Sequence, residues 1–320
     1  MSRFLLTLAA LTLSFGANAQ TPWPSRPVKI IAPFAPGGTA DTLGRLIAQK
    51  LSEQLKESFV VENRPGAGGV VGSEFVSNSP PDGYTLVISG IASHVIAPHL
   101  PTGTPYDPLK DFTHIALLGG PPAVFAVQPS LQAKTLKEFV ALAKSQPGKL
   151  TYGSPGPGTQ GQLVAEYFKK LAGIDVLHVP YKGASAAVAD LMGGQINAVS
   201  TTLTTAAGPI KGGRARALAL SSAERLPDYP DIPTFAEQGY PDLVATVWFS
   251  LSGPAGMPQD IVERLNAEVR RALELSDVRE RLRHDGIVPN RLDAKEFTAF
   301  VADEVRRWGP IVRASGAKNE

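Results

Sequence analysis

A short apolar run rich in β-branched residues, then a Gly-rich loop, then a helical stripe: this unit recurs along the 320-residue chain. Val28 to Phe34 is the first such run, and Ala35-Pro36-Gly37-Gly38 the first loop. Leu43, Leu46, Ile47, Leu51 and Leu55 then fall on one face of a helix. Strands that alternate with helices bury both sheet faces, and a parallel partner needs a crossover that a helix supplies. The pattern therefore predicts an α/β fold with mainly parallel strands.

The same logic continues. Phe59 to Glu62 reads as a strand, Asn63 to Gly69 as a loop and Val70 to Ser77 as a helix. Pro81-Asp82-Gly83 turns into a strand over Tyr84 to Ser89, with a helix near Ser93 to Leu100. His114 to Leu118, Val124 to Val127, Lys149 to Tyr152, Val176 to Tyr181, Ile196 to Ser200 and Ala215 to Ser221 are further strands. Helices fall at Thr135 to Ser145, Thr159 to Leu171, Ala184 to Met192 and Ala206 to Lys211. After the Pro-rich stretch Leu226 to Pro241, a strand is predicted over Val244 to Leu251. Helices follow over Pro258 to Leu275, Asp277 to His284 and Ala294 to Val312.

Ahead of this pattern lies a different signal. Met1-Ser2-Arg3 is basic, Phe4 to Phe15 is apolar but too short to span a bilayer, and Ala17-Asn18-Ala19 fits signal peptidase. Cleavage before Gln20, with no Cys there for a lipid anchor, predicts an exported soluble protein. About 300 residues then remain, more than one core usually serves, so two domains are expected. The 31 basic and 29 acidic residues leave a net charge of +2 without a long basic run, which argues against nucleic acid as a partner. Zero cysteines exclude disulfides, thiolate nucleophiles and cysteine-bound metals.

Catalytic patterns are missing. His94, His99, His114, His178 and His284 form no H-E-x-x-H pair, and neither G-x-S-x-G nor a phosphate-loop motif occurs. Gly156-Pro157-Gly158-Thr159-Gln160-Gly161 matches G-x-G-x-x-G, yet the next strand ends Pro180-Tyr181-Lys182 instead of in an acidic residue. That argues against a dinucleotide site. No cofactor and no metal are expected.

What remains is a pair of Gly-rich loops that open helices, Pro36 to Asp41 and Ser154 to Thr159. A helix start offers unpaired N–H groups and a partial positive charge, so it binds anions without a basic side chain. Capping alone explains either loop, and Asp41 reads as a cap. Two such loops in separate α/β halves favour ligand contact, because ligands of open α/β sheets sit beyond the strand C-termini. Trp248 and Phe249 read as core or as a cleft wall, and Lys182 as an exposed lysine or a counter-ion.

Several segments taken together resemble the Bug family of periplasmic receptors, the solute-binding components of tripartite tricarboxylate transporters. They are Trp23 to Asp41, Val60 to Gly72, Pro81 to Leu86, Tyr106 to Phe112, Pro147 to Thr159, His178 to Gly183, Asp190 to Ile196 and Arg216 to Tyr240. The resemblance implies a two-lobed, periplasmic-binding-protein-like (type II) clamshell, each lobe a mainly parallel sheet flanked by helices. Its implied divisions are a signal peptide over 1–19, lobe one over 20–122 and 224–320, and lobe two over 123–223. It implies no catalysis. A small organic anion, a mono- or dicarboxylate, is to be captured by closure and passed by a monomer to membrane transporter subunits. The implied ligand contacts in lobe one are Phe34, Pro36, Gly37, Gly38, Thr39 and Asp41, with Gly90, Ile91, Ala92 and Ser93. Those in lobe two are Ser154, Gly158 and Thr159. Two departures join them: Gln162 stands where the family commonly has His, and Thr201-Thr202 where many members have an Asp-Asn-like pair. Loss of that acidic group disfavours an amino-acid ligand. A receptor that signals to a membrane sensor and an exported hydrolase are the alternatives.

Overall fold

Two five-stranded sheets organise the residues described by the computed structural model, 23–315. The expected signal peptide lies outside them. The first sheet contains β1 (Val28–Ala32), β2 (Phe59–Asn63), β3 (Thr85–Gly90), β4 (Phe112–Gly119) and β10 (Phe249–Pro254), in the order β2-β1-β3-β10-β4. The second contains β5 (Ala123–Val127), β6 (Thr151–Ser154), β7 (Leu177–Pro180), β8 (Ala198–Thr202) and β9 (Arg216–Leu220), in the order β7-β6-β8-β5-β9. β10 runs antiparallel to β3 and β4, and β5 antiparallel to β8 and β9. The other pairings are parallel. Each sheet is thus mainly parallel with one reversed strand, and the two-lobed α/β fold matches the expectation.

The buried strands read as apolar runs because helices cover both faces. Ile30, Ile31, Leu86, Val87 and Ile88 are fully buried. The first sheet carries α1 (Thr39–Leu55), α2 (Val70–Ser77), α7 (Gln259–Glu274), α8 (Ser276–His284) and α9 (Ala294–Ser315). The second carries α3 (Leu136–Ser145), α4 (Gln160–Ala172), α5 (Ala184–Met192) and α6 (Leu203–Lys211). α1 buries Leu43, Ile47, Leu51 and Leu55, one turn apart, and ends at Lys56 in the left-handed conformation. Truncating one of these to Ala costs about 2–5 kcal/mol. In the second lobe Phe125 packs on Phe139 and Phe168 at ring-centroid distances of 5.0 and 5.4 Å.

Several bounds shift by two or three residues from the sequence reading, as in β6, β8 and α6, and two elements differ more. The helix near Ser93 to Leu100 is a π turn over Ala92–Ile96 followed by a 3-10 turn over Ala97–His99. Pro98 has no N–H to continue an α-helical ladder. The strand over Val244 to Leu251 lies later, at Phe249–Pro254. Residues 244–248 cross between the lobes instead. Val247 N donates to Pro121 O at 3.0 Å, Ala245 N to Ser221 O at 2.8 Å, and Thr246 bridges Pro122. A Cβ on Gly120 would lie 1.4 Å from Val247 O, so only glycine lets these two crossings run side by side.

The stretch between β9 and this crossing stays on the second sheet. Leu220 N donates to Pro233 O at 3.0 Å and Phe235 N to Leu220 O at 2.9 Å. Tyr229 and Ile232 join the core around Val124 and Leu191. Phe235 and Tyr240 pack on Phe168 at 5.4 and 5.2 Å.

Candidate ligand-binding cleft

The C-terminal ends of β1 and β3 face those of β6 and β8 across a cleft. Between them lies a small cavity of about 50 Å³, placed at the junction of two lobes, where small-molecule sites often form. Lobe one contributes Phe34, the start of α1 at Gly38 to Ala40, and the turn from Ser89 to Ser93. Lobe two contributes Pro155, the start of α4 at Thr159 to Gly161, Ala184 and Thr202. Val247, Trp248 and Phe249, where the chain re-enters lobe one, close the back. None of the described residues lining this space is ionisable.

Helix starts supply the polarity. α1 begins at Gly38, α5 at Gly183 and α6 at Thr202, each without a side-chain cap. α4 begins at Thr159, whose hydroxyl accepts from Gln162 N. Partial positive charge from these ends converges on the cavity, with Thr39, Ser93, Thr159 and Thr202 as hydroxyl partners. Such a site suits an anion and gives a cation no counter-charge.

The expected residues divide into three groups. Phe34, Gly38, Thr39, Gly90, Ile91, Ala92, Ser93 and Thr159 line the cavity. Pro36 and Gly37 lie on the seam between the lobes instead. Pro36 O accepts from Ser185 Oγ of lobe two at 2.8 Å, and a Cβ on Gly37 would meet Ser185 at 3.7 Å. The remaining five support the walls. Asp41 accepts from Gly37 N and Asn63 Nδ2, each at 3.0 Å, and pairs with Arg45 at 2.9 Å. Burial raises its pKa, but the bonds from Arg45, Gly37 and Asn63 outweigh that and hold the carboxyl below its ordinary value. Asp41 therefore braces the turn ahead of α1 instead of capping the helix, and its charge is already met by Arg45. Ser154 Oγ bonds His178 Nε2 at 2.7 Å and Gly156 N at 3.2 Å, shaping its own loop. Gly158 N donates to Gln162 Oε1 at 2.8 Å, so Gln162 braces the Gly-rich loop. Thr201 is buried in β8 behind the wall, and the adjacent Thr202 faces the cavity, as strand alternation requires.

Gln160, Pro155 and Ala184 also line the wall without having been singled out, beside Thr202 of the Thr201-Thr202 pair. Gln160 is 2% exposed, and neither of its amide atoms has a hydrogen-bond partner among the described residues. Its only sequence signal is its place after Thr159 at the helix start. Trp248 takes the wall role of its two sequence readings. Its indole Nε1 donates to Glu304 Oε2 at 2.9 Å, which also accepts from Trp308 Nε1 at 3.1 Å. Behind Ser93, the buried ring of His94 lies 2.9 Å from the Ser93 hydroxyl. Burial, and then the charge of His114, hold the His94 pKa well below its ordinary value, so the ring is neutral.

The lobes meet in a closed arrangement. Thr39 Oγ1 and Thr202 Oγ1 are 2.7 Å apart, and Ala35 N donates to Lys182 O at 3.4 Å. Gly68 of lobe one abuts the Pro157 carbonyl of lobe two. The described residues contain no cluster of three or more metal-ligating side chains, and no helix long and apolar enough to cross a membrane.

A family model described as the tripartite tricarboxylate transporter family receptor, TctC, matches residues 43–317. BugT of Bordetella pertussis is 34% identical over 322 residues, covering 99% of each chain. The solved structure of R. palustris Rpa4515 with adipate is 33% identical, with a TM-score of 0.89, over 92% of this chain and 99% of that one. MatC from Rhodopseudomonas palustris with bound malate is 32% identical, with a TM-score of 0.86, over 91% and 100%.

Proposed function

Because the chain belongs to the tripartite tricarboxylate transporter receptor family, we propose that it captures a small carboxylate in the periplasm and presents it to a membrane transporter. Family membership makes it a receptor, not an enzyme. The observation that carries the reading is the cavity itself. It lies between two lobes, is walled by both, and gathers helix starts and hydroxyls with no ionisable side chain. A carboxylate is met there by N–H groups and hydroxyls in a water-poor setting, where such bonds are strong. Adipate and malate in the two solved relatives support this choice of ligand class.

Closure completes the site. The ligand docks on lobe one, and lobe two then covers it through contacts such as Thr39 to Thr202. Only the difference in ligand affinity between the open and closed states drives this step. The closed form is what the transporter recognises. The proposed second lobe runs from 123 to about 243, beyond the expected 223, because residues 229–240 pack on the second sheet. The proposed hinges are the crossings at 119–123 and 244–248. One chain holds the whole cavity, so a monomer suffices.

A thermal-melt screen of the chain from Gln20 onward, against carboxylates, amino acids and sugars, tests the reading. A ligand that binds only the folded state raises the melting temperature with concentration. Carboxylates are expected to give the shifts. Shifts from sugars or amino acids alone would overturn the ligand class.

A further inference from the structure

We infer that the ligand is a monocarboxylate carrying a neutral group that both donates and accepts hydrogen bonds, a hydroxyl or a carboxamide, and that Gln160 reads this group. The inference rests on the carboxylate reading above and narrows it.

Gln160 is the first residue of α4 and lines the cavity from lobe two. It is 2% exposed, and both Nε2 and Oε1 are buried without a partner among the described residues. Interchanging the two atoms changes nothing, since both lack one. A buried amide left in this state is costly, and native proteins rarely leave both of its ends unmet. The other polar side chains of the wall are engaged or smaller. Thr202 bonds Thr39, and Thr159 bonds Gly156 O and Gln162 N. The amide therefore faces the ligand.

An amide asks for both kinds of partner. Its NH₂ needs an acceptor and its carbonyl a donor. A carboxylate facing it satisfies Nε2 and sets its negative charge against the partial negative charge of Oε1. A hydroxyl or a carboxamide satisfies both atoms. One carboxylate already has a place in lobe one, where α1 starts uncapped beside Thr39 and Ser93. A second would stand in a cavity with no cationic side chain. Ile91, Val247 and Phe249 give the same wall an apolar surface for the body of the ligand.

The test is titration calorimetry on matched pairs: glutarate against its monoamide, and terephthalate against 4-carboxybenzamide, with pentanoate and benzoate as unsubstituted controls. The wild-type protein is expected to bind at least one monoamide about tenfold or more tightly than both its dicarboxylate and its control. Gln160→Leu is expected to bring the three affinities of that series together, while the control still binds. Gln160→Met, similar in reach, serves if the Leu variant does not fold. Equal or tighter binding of the dicarboxylate, or a preference that survives the substitution, overturns the inference and leaves the carboxylate reading standing. No binding by any carboxylate, beside shifts from another ligand class, overturns both.

Discussion

Replacing Gly68 by Ala should weaken ligand binding without touching the ligand. Gly68 sits in lobe one with φ +65, and a Cβ built there lies 2.3 Å from the carbonyl oxygen of Pro157 in lobe two. An ordinary carbon–oxygen contact is about 3.3 Å, so the clash amounts to about 1 Å. Both sides are backbone, and no rotamer relieves it. Opening the cleft does. The penalty thus falls on the closed state alone, and overpacking of this kind costs about 1–3 kcal/mol. Carried into affinity, that is about 5- to 150-fold weaker binding. The left-handed backbone adds about 1–2 kcal/mol of strain for Ala in both states, which lowers the melting temperature but not the affinity. Gly173→Ala is the control, because Gly173 has φ +61 and nothing within 4 Å of its added Cβ. Calorimetry with a carboxylate found in the melt screen, beside unliganded melts, separates the two effects. If Gly68→Ala binds within twofold of Gly173→Ala, the closed contact does not govern binding and the reasoning fails.

Acid should destabilise the fold through its buried histidines. Burial pushes the His114 pKa from 6.5 down to about 4, against a smaller raising effect of its bond to Pro108 O. The unfolded chain therefore binds the extra proton first, so stability present above pH 6.5 is lost as the pH falls towards 4. From His114 alone the full loss is about 3 kcal/mol. Urea unfolding at pH 7 and pH 5 checks this, and equal stability at both would contradict it. Glu304→Leu should strand the indole N–H groups of Trp248 and Trp308, at about 3 kcal/mol; a loss under 1 kcal/mol in the same assay would show that the carboxylate does not anchor the cavity wall. Thr39→Val should remove the hydroxyl contact across the cleft and weaken binding about fivefold, with Thr202→Val adding little to it. Additive losses measured by calorimetry would mean the two hydroxyls act separately.

Much of the architecture was legible because strands and helices differ in period. Val70 to Ser77 and Ala184 to Met192 were predicted with the bounds the structure has. The last strand was not, for a physical reason. Residues 243–249 are apolar apart from Thr246 whether they form a ladder or cross between lobes, and Gly253-Pro254 looks like a terminator although it pairs with β4. The long-range bonds to Pro121 and Ser221 decide the matter, and sequence periodicity does not contain them. The cleft was legible at the level of loops. Which side chain on each loop faces inward was not. Thr201 and Thr202 differ only in strand parity at the end of β8, and Gln160 and Gln162 only in rotation about the first turn of α4. Gln162 turns back to brace Gly158, and Gln160 faces the cavity.

Small-angle X-ray scattering, with and without a saturating carboxylate from the melt screen, tests capture by closure most directly. The account predicts that the free protein has the larger radius of gyration, and that the ligand contracts it to the value of the closed arrangement described here. Saturation with no change in the radius would show that this protein binds without closing its lobes, and would contradict the account.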